Sequence, residues 1–174
     1  MHTDLDAVYA YCLQQDWRVE DADDTTLWVR KTFSCGLIHA DAHVRQERFT
    51  FRSQFPVVVP ELRRRLMMEF AMQANRDSDY AFMYLDHATG EIGVTTGTPV
   101  AMGYLCPAVI DLVVGSNLIA IDRWLPGVAA VCYCDISPKT AIAMCSAPCP
   151  IAAAVGEAVK NLESFGDDDD QSSL

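Results

Sequence analysis

The sequence has few basic residues. It contains 13 lysines and arginines against 24 aspartates and glutamates, which gives a net charge of −11 at pH 7. Nucleic acid attracts a positive surface, so an acidic chain of this kind is a poor nucleic-acid binder. Residues 30–76 form a basic island with a net charge of +5, but solvated strand and helix faces account for it. We therefore expect no nucleic-acid partner.

The sequence also lacks a long uninterrupted apolar run. The longest one, residues 105–121, contains Asp111 and is followed by Asp122 and Arg123. Such a stretch is too short and too charged to cross a bilayer of about 30 Å. It indicates a core helix or an interface, and we expect no membrane association.

Motifs of catalysis are missing as well. The sequence has no G-x-S-x-G, no P-loop and no dinucleotide-binding fingerprint. Asp86 and His87 are adjacent, but they fall at a predicted hairpin corner and are better explained as turn residues. His39 and His43 fall on one face of a predicted strand, where we expect surface or core histidines and not metal ligands. These observations predict a protein that is not an enzyme and has no cofactor.

The seven cysteines give an odd count, and no secretory leader precedes them. Both features favour a reducing cytoplasm. Four of them lie close together in sequence: Cys132, Cys134, Cys145 and Cys149. Four thiols suffice for a zinc site, but only the second pair has the usual spacing, and cysteine also serves as a small buried side chain. A thiol-based metal or redox sensor stays open as the alternative function.

The residues that are present predict one α+β domain. A chain of 174 residues with 51% hydrophobic side chains can bury a sizeable core. Apolar periodicity and turn residues predict an antiparallel sheet of about five strands, with elements in the order α-βββ-α-ββ-α. The predicted helices are 3–16, 60–74, 107–121 and 126–134, and the predicted strands are 25–32, 35–44, 47–55, 79–86 and 91–98.

The helix predicted over residues 60–74 has an unusual outer face. Its core side should hold Val59, Leu62, Leu66, Met67, Phe70 and Ala74. Met68 and Met72 fall instead beside Arg64 and Arg65, where a purely structural helix would have polar residues. Because methionine suits adaptable contact surfaces, we expect these four residues to contribute to a partner or dimer interface. Burial of the two methionines against the C-terminal tail is the alternative.

The C-terminal part is predicted as an appendage. Ser137 and Pro138 interrupt the helical pattern, which divides the chain into a domain over 1–135 and a helical extension over 136–165. The extension includes a small-residue helix over 151–164. Residues 166–174, which begin with Gly166 and four aspartates, form a predicted disordered acidic tail.

Three stretches of the sequence carry a resemblance to a known family. They are residues 14–17 (Gln-Gln-Asp-Trp), 55–75 with Phe-Pro and Pro-Glu-Leu, and 80–92 from Tyr-Ala-Phe-Met to Gly-Glu-Ile. These stretches resemble the YbjN family of bacterial sensory transduction regulators, and the order of elements resembles the type III secretion chaperone fold. The resemblance covers about residues 3–135. It implies a compact, often dimeric domain that handles or regulates other polypeptides and has no catalytic residues. We expect a cytoplasmic, homodimeric module that binds a protein or peptide partner.

Overall fold

A computed structural model of the protein describes residues 4–45, 47–76, 78–100 and 105–146. The helices are α1 (Asp4–Gln14), α2 (Arg64–Arg76), α3 (Pro107–Tyr133) and α4 (Pro138–Cys145), and a 3₁₀ turn over Glu61–Arg63 precedes α2. The strands are β1 (Arg18–Ala22), β2 (Thr26–Phe33), β3 (Gly36–Arg45), β4 (Arg48–Val58), β5 (Ala81–Leu85) and β6 (Glu91–Pro99).

The strands form one antiparallel sheet in the order β1-β2-β3-β4-β6-β5. One face is buried, as the alternation of Phe49, Phe51 and Phe55 along β4 predicts. The α+β class is confirmed, but the sheet has six strands where the sequence predicts about five. The additional strand, β1, has mostly exposed residues and is interrupted at Glu20 by a shift in its pairing with β2. It therefore lacks the alternation by which a strand is predicted.

Helix α3 lies across the buried face of the sheet and is continuous over 27 residues. The sequence predicts two helices with a break before Pro126, and that prediction is wrong. Proline inside a helix removes one hydrogen bond and costs about 3 kcal/mol. Pro126 is exposed, whereas Trp124 and Val128 beside it are buried in the core. The burial of these neighbours offsets the cost of the proline.

A buried polar cluster joins α3 to the sheet. Asn117 is completely buried, and its Nδ2 donates to the carbonyl oxygens of Phe51 at 3.1 Å and Val94 at 3.0 Å. Its Oδ1 accepts from the Ser53 hydroxyl, and the Thr96 hydroxyl donates to the Val113 carbonyl. Buried polar groups must find such partners, so this cluster fixes the position of α3 over β4 and β6.

The core side of α2 is largely as predicted. Val59, Met67, Phe70 and Ala74 are buried and Leu66 is half-buried against the core, but Leu62 is 95% exposed. Residues 61–63 form a 3₁₀ turn, which advances by about 120° per residue and not by the 100° of an α-helix. The different rotation directs Leu62 outward.

The first part of the predicted C-terminal extension packs on the domain. The Ser137 hydroxyl accepts from the backbone N–H of Thr140 and caps α4, which then begins with Pro138. Ala141 and Cys145 are buried, because α4 lies against α2 and α3. The predicted helix over 151–164 and the acidic tail over 166–174 lie outside the described residues.

Candidate partner-binding surfaces

The outer side of α2 and the edge strand β5 form an open groove of about 370 Å³, here called the methionine groove. Its walls are Met68, Ala71, Met72, Asn75, Met83, Leu85 and His87. Met68 and Met72 are 45% and 72% exposed, on the side of α2 where the sequence predicts them. Exposed methionines one helical turn apart are typical of an adaptable contact surface.

The two arginines predicted beside these methionines differ in their surroundings. Arg64 Nη1 donates to the carbonyl oxygens of His87 at 2.8 Å and Ala88 at 3.2 Å. Its guanidinium also approaches Gly90, whose positive φ of 81° suits glycine. Arg64 thus holds the β5–β6 turn against α2. Arg65 is exposed and makes no hydrogen bond or ion pair within the described part of the chain, so it is accessible to a partner.

Side chains cap the edge of the sheet at two residues of β5. Asn75 Oδ1 accepts from the Met83 N–H at 2.6 Å, and its Nδ2 donates to the Met83 carbonyl oxygen at 2.9 Å. The Ser78 hydroxyl similarly bonds both the N–H and the carbonyl of Ala81. These groups would otherwise pair with an incoming strand. A partner at Ala81 and Met83 therefore meets side chains and not free backbone.

The opposite edge, β1, is protected in a different way. It has only five residues, and its pairing with β2 is displaced between Val19 and Asp21. Glu20 and Asp21 add negative charge there, and Glu20 pairs with Arg30 at 2.9 Å. Short, bulged and charged strands are the usual protection of an edge. Neither protection is predictable from local sequence, because both depend on which strands lie at the edges.

The sheet face that no described helix covers carries both aromatic and charged side chains. Trp28 and Phe82 are partly exposed there, and the Arg52 guanidinium lies 3.8 Å from the centre of the Tyr84 ring. Such a contact holds a cation over an aromatic face. This face offers aromatic surface to a partner, although less continuously than the methionine groove does.

The two histidines of β3 are on one face, as predicted, but they have separate partners. His39 Nδ1 lies 3.6 Å from Glu20, while His43 contacts Asp41 at 2.6 Å and Thr26 at 2.9 Å. Four residues of strand separate side chains by about 13 Å, too far for one metal ion. Thr26 is completely buried, so its hydroxyl cannot meet a substrate. The hydrogen bonds to Asp41 and Thr26 orient the His43 ring.

Two of the four clustered cysteines are core residues. Cys132 and Cys145 are buried, and burial raises the pKa of both thiols, that of Cys132 to about 11. Cys134 is exposed, and Cys149 lies outside the described residues. No group of three or more possible metal ligands occurs in the ranges that the structure describes. A raised pKa keeps a thiol protonated and less reactive toward metals or oxidants.

Asp86 and His87 lie at the turn between β5 and β6, as predicted. Asp86 Oδ1 accepts from the backbone N–H groups of Ala88 at 2.7 Å and Thr89 at 3.2 Å. These bonds lower the pKa of the Asp86 carboxyl. The carboxylate serves the turn and is not positioned for proton transfer to His87.

The sequence and the structure were compared with known families, curated proteins and solved structures. No protein-family model matches it, and no curated protein matches it. One solved structure that matches is the crystal structure of the ExsC-ExsE complex. That match has a TM-score of 0.45 and 11% sequence identity, and covers 71% of this chain and 94% of that chain. None of the described helices has the length and apolar character of a membrane span.

Proposed function

We propose that this protein is a non-catalytic protein-binding module, chaperone-like or regulatory, of the YbjN or secretion-chaperone type. Its methionine groove contacts a polypeptide, and the first candidate for that polypeptide is a second copy of the same chain. The proposal includes a cytoplasmic location and no cofactor.

The observation that supports the proposal best is the exposure of Met68 and Met72 in an open groove. Burying such side chains yields about 25 cal/mol per Å² of apolar surface. The groove continues onto β5 through Met83 and Leu85, so a partner can contact a helix and a strand together. Contiguous exposed apolar surface of this kind marks an interaction site.

The protected edges limit how a partner can bind. Asn75 and Ser78 occupy the edge-facing backbone groups of Met83 and Ala81 in β5. We therefore infer that the partner inserts side chains into the groove, as an amphipathic helix does.

The test is the molar mass of the purified protein across a concentration series, measured by light scattering after size exclusion. The double variant Met68→Glu/Met72→Glu places two charges in the groove, and we expect it to remain monomeric where the unchanged protein dimerises. Because both positions are exposed, we expect the variant to unfold at nearly the same temperature as the unchanged protein.

A matched control adds two charges at exposed apolar positions outside the groove. Val58→Glu/Leu62→Glu does this, since Val58 and Leu62 are 59% and 95% exposed, and we expect it to dimerise normally. An identical mass for the groove variant and the unchanged protein at every concentration would contradict the proposal.

A further inference from the structure

Helix α3 has an exposed apolar stripe on the side away from the sheet. Leu112 and Ile119 are 68% and 67% exposed, although they are large aliphatic residues in a long helix. They are seven residues apart, and Pro126, exposed as well, follows after seven more. This spacing places all three on one side of the helix. Gly115 lies between them, with open space where a side chain would be.

The last described helix, α4, packs on the side of α3 next to this stripe. It follows α3 after the short connection 134–137, and its last residue, Cys145, contacts Gly127 of α3. Gly127 lies six residues before the end of α3, so α4 runs back along it as an antiparallel hairpin. At about 100° per residue, Ile119 and Leu112 lie about 80° and 60° around the axis from Gly127, both in the same sense. The stripe is therefore on the side of α3 adjacent to the one that α4 covers.

The sequence after Ser146 has the pattern that such a surface fits. Apolar residues recur at helical spacing in the last part of the chain: Ile151, Val155, Ala158, Leu162 and Phe165. Glu157, Lys160 and Glu163 fall on the other sides of this helical wheel. A helix with one apolar face requires an apolar surface on which to pack.

The C-terminal segment and the α3 stripe also have the same length. Residues 151 and 165 are 14 positions apart, as are Leu112 and Pro126. At 1.5 Å per residue, both intervals measure about 21 Å along a helix. The small residues Gly115 on α3 and Ala158 in the segment allow two helices to approach closely.

We propose that residues 151–165 form an amphipathic helix that packs antiparallel on the α3 stripe of Leu112, Gly115, Ile119 and Pro126. The C-terminal segment then covers the exposed apolar stripe of α3, on a different part of the molecule from the methionine groove. The proposal does not depend on the groove or on its partner.

The test is hydrogen–deuterium exchange by mass spectrometry on the full chain at a concentration where light scattering gives a monomer. We expect the amides of residues 151–165 to exchange at least about tenfold more slowly than in an unstructured peptide. In the variant Leu112→Glu/Ile119→Glu, this protection should fall to within about threefold of the peptide rate. The control Val58→Glu/Leu62→Glu should retain full protection.

A second double variant controls for damage to the domain. Val155→Glu/Leu162→Glu changes only the segment, and we expect the same loss of protection while α2 and β6 exchange as before. Three results would overturn the proposal: rapid exchange of residues 151–165 in the unchanged chain, protection that survives both pairs of substitutions, or protection that appears only when the mass doubles. The last result would assign the stripe to a second copy.

Discussion

The side chain of Asn75 closes the β5 edge, and truncating it to alanine tests that role. The change removes two hydrogen bonds, one to the Met83 N–H and one to the Met83 carbonyl. A hydrogen bond contributes about 0.5–1.5 kcal/mol net. Because Asn75 is only half-buried and water can reach the freed groups, we expect Asn75→Ala to lower the free energy of unfolding by about 1–2 kcal/mol.

This loss corresponds to a decrease of the melting temperature by about 2–8 °C, since 1 kcal/mol shifts it by about 2–4 °C in a chain of this size. The change also frees backbone groups that can pair with another chain. We therefore expect turbidity to appear earlier on heating. Circular dichroism measures the melting temperature, and light scattering in the same scan measures aggregation.

The matched control is Gln73→Ala, because it removes another amide from the same helix. Among the described residues, Gln73 bonds only to Glu69, at 3.3 Å and one turn away, so its loss should change stability by less than about 0.5 kcal/mol. Equal melting temperatures and equal aggregation for the two variants would refute the role of Asn75 as an edge cap.

Two further predictions concern the core. Asn117→Ala removes the amide that the Ser53 hydroxyl and two carbonyl groups contact in the core. We expect the free energy of unfolding to fall by about 3 kcal/mol, which urea denaturation would show as a lower midpoint. An unchanged midpoint would contradict the role of this cluster. Burial raises the pKa of the Cys12 thiol from 9.0 to about 12. The buried, protonated Cys12 thiol therefore contributes its full stabilisation below about pH 9, and this contribution is lost as the pH rises toward 12. Cys12→Ala should flatten the decline in unfolding free energy between pH 8 and 10, and an equal slope in both proteins would show that Cys12 does not cause it.

Much of the fold is predictable from local patterns. The alternation along β4 and the periodicity of α2 are strong because each element buries one face. The same periodicity places Met68 and Met72 on the outside of α2, and their exposure agrees with that position. Residues whose placement depends on a single helix or strand were therefore predicted well.

The remaining features depend on contacts between distant residues. Pro126 would end an isolated helix, but the core contacts of Trp124 and Val128 keep α3 continuous. Asn75 directly follows the predicted helix, and nothing local indicates that its amide caps a strand eight residues away. Local sequence patterns do not encode these tertiary effects. Leu62 is a local exception, because a 3₁₀ turn changes the rotation of the chain at the start of α2.

The most direct test of the methionine groove is a ¹³C methyl NMR spectrum of methionine-labelled protein, recorded across a concentration series. Met67, Met68 and Met72 lie on the same helix, but Met67 is completely buried and serves as an internal reference. We predict that the Met68 and Met72 signals shift or broaden as the protein self-associates, while the Met67 signal stays in place. Unchanged Met68 and Met72 signals through a doubling of the mass would show that the dimer forms elsewhere and contradict the proposal.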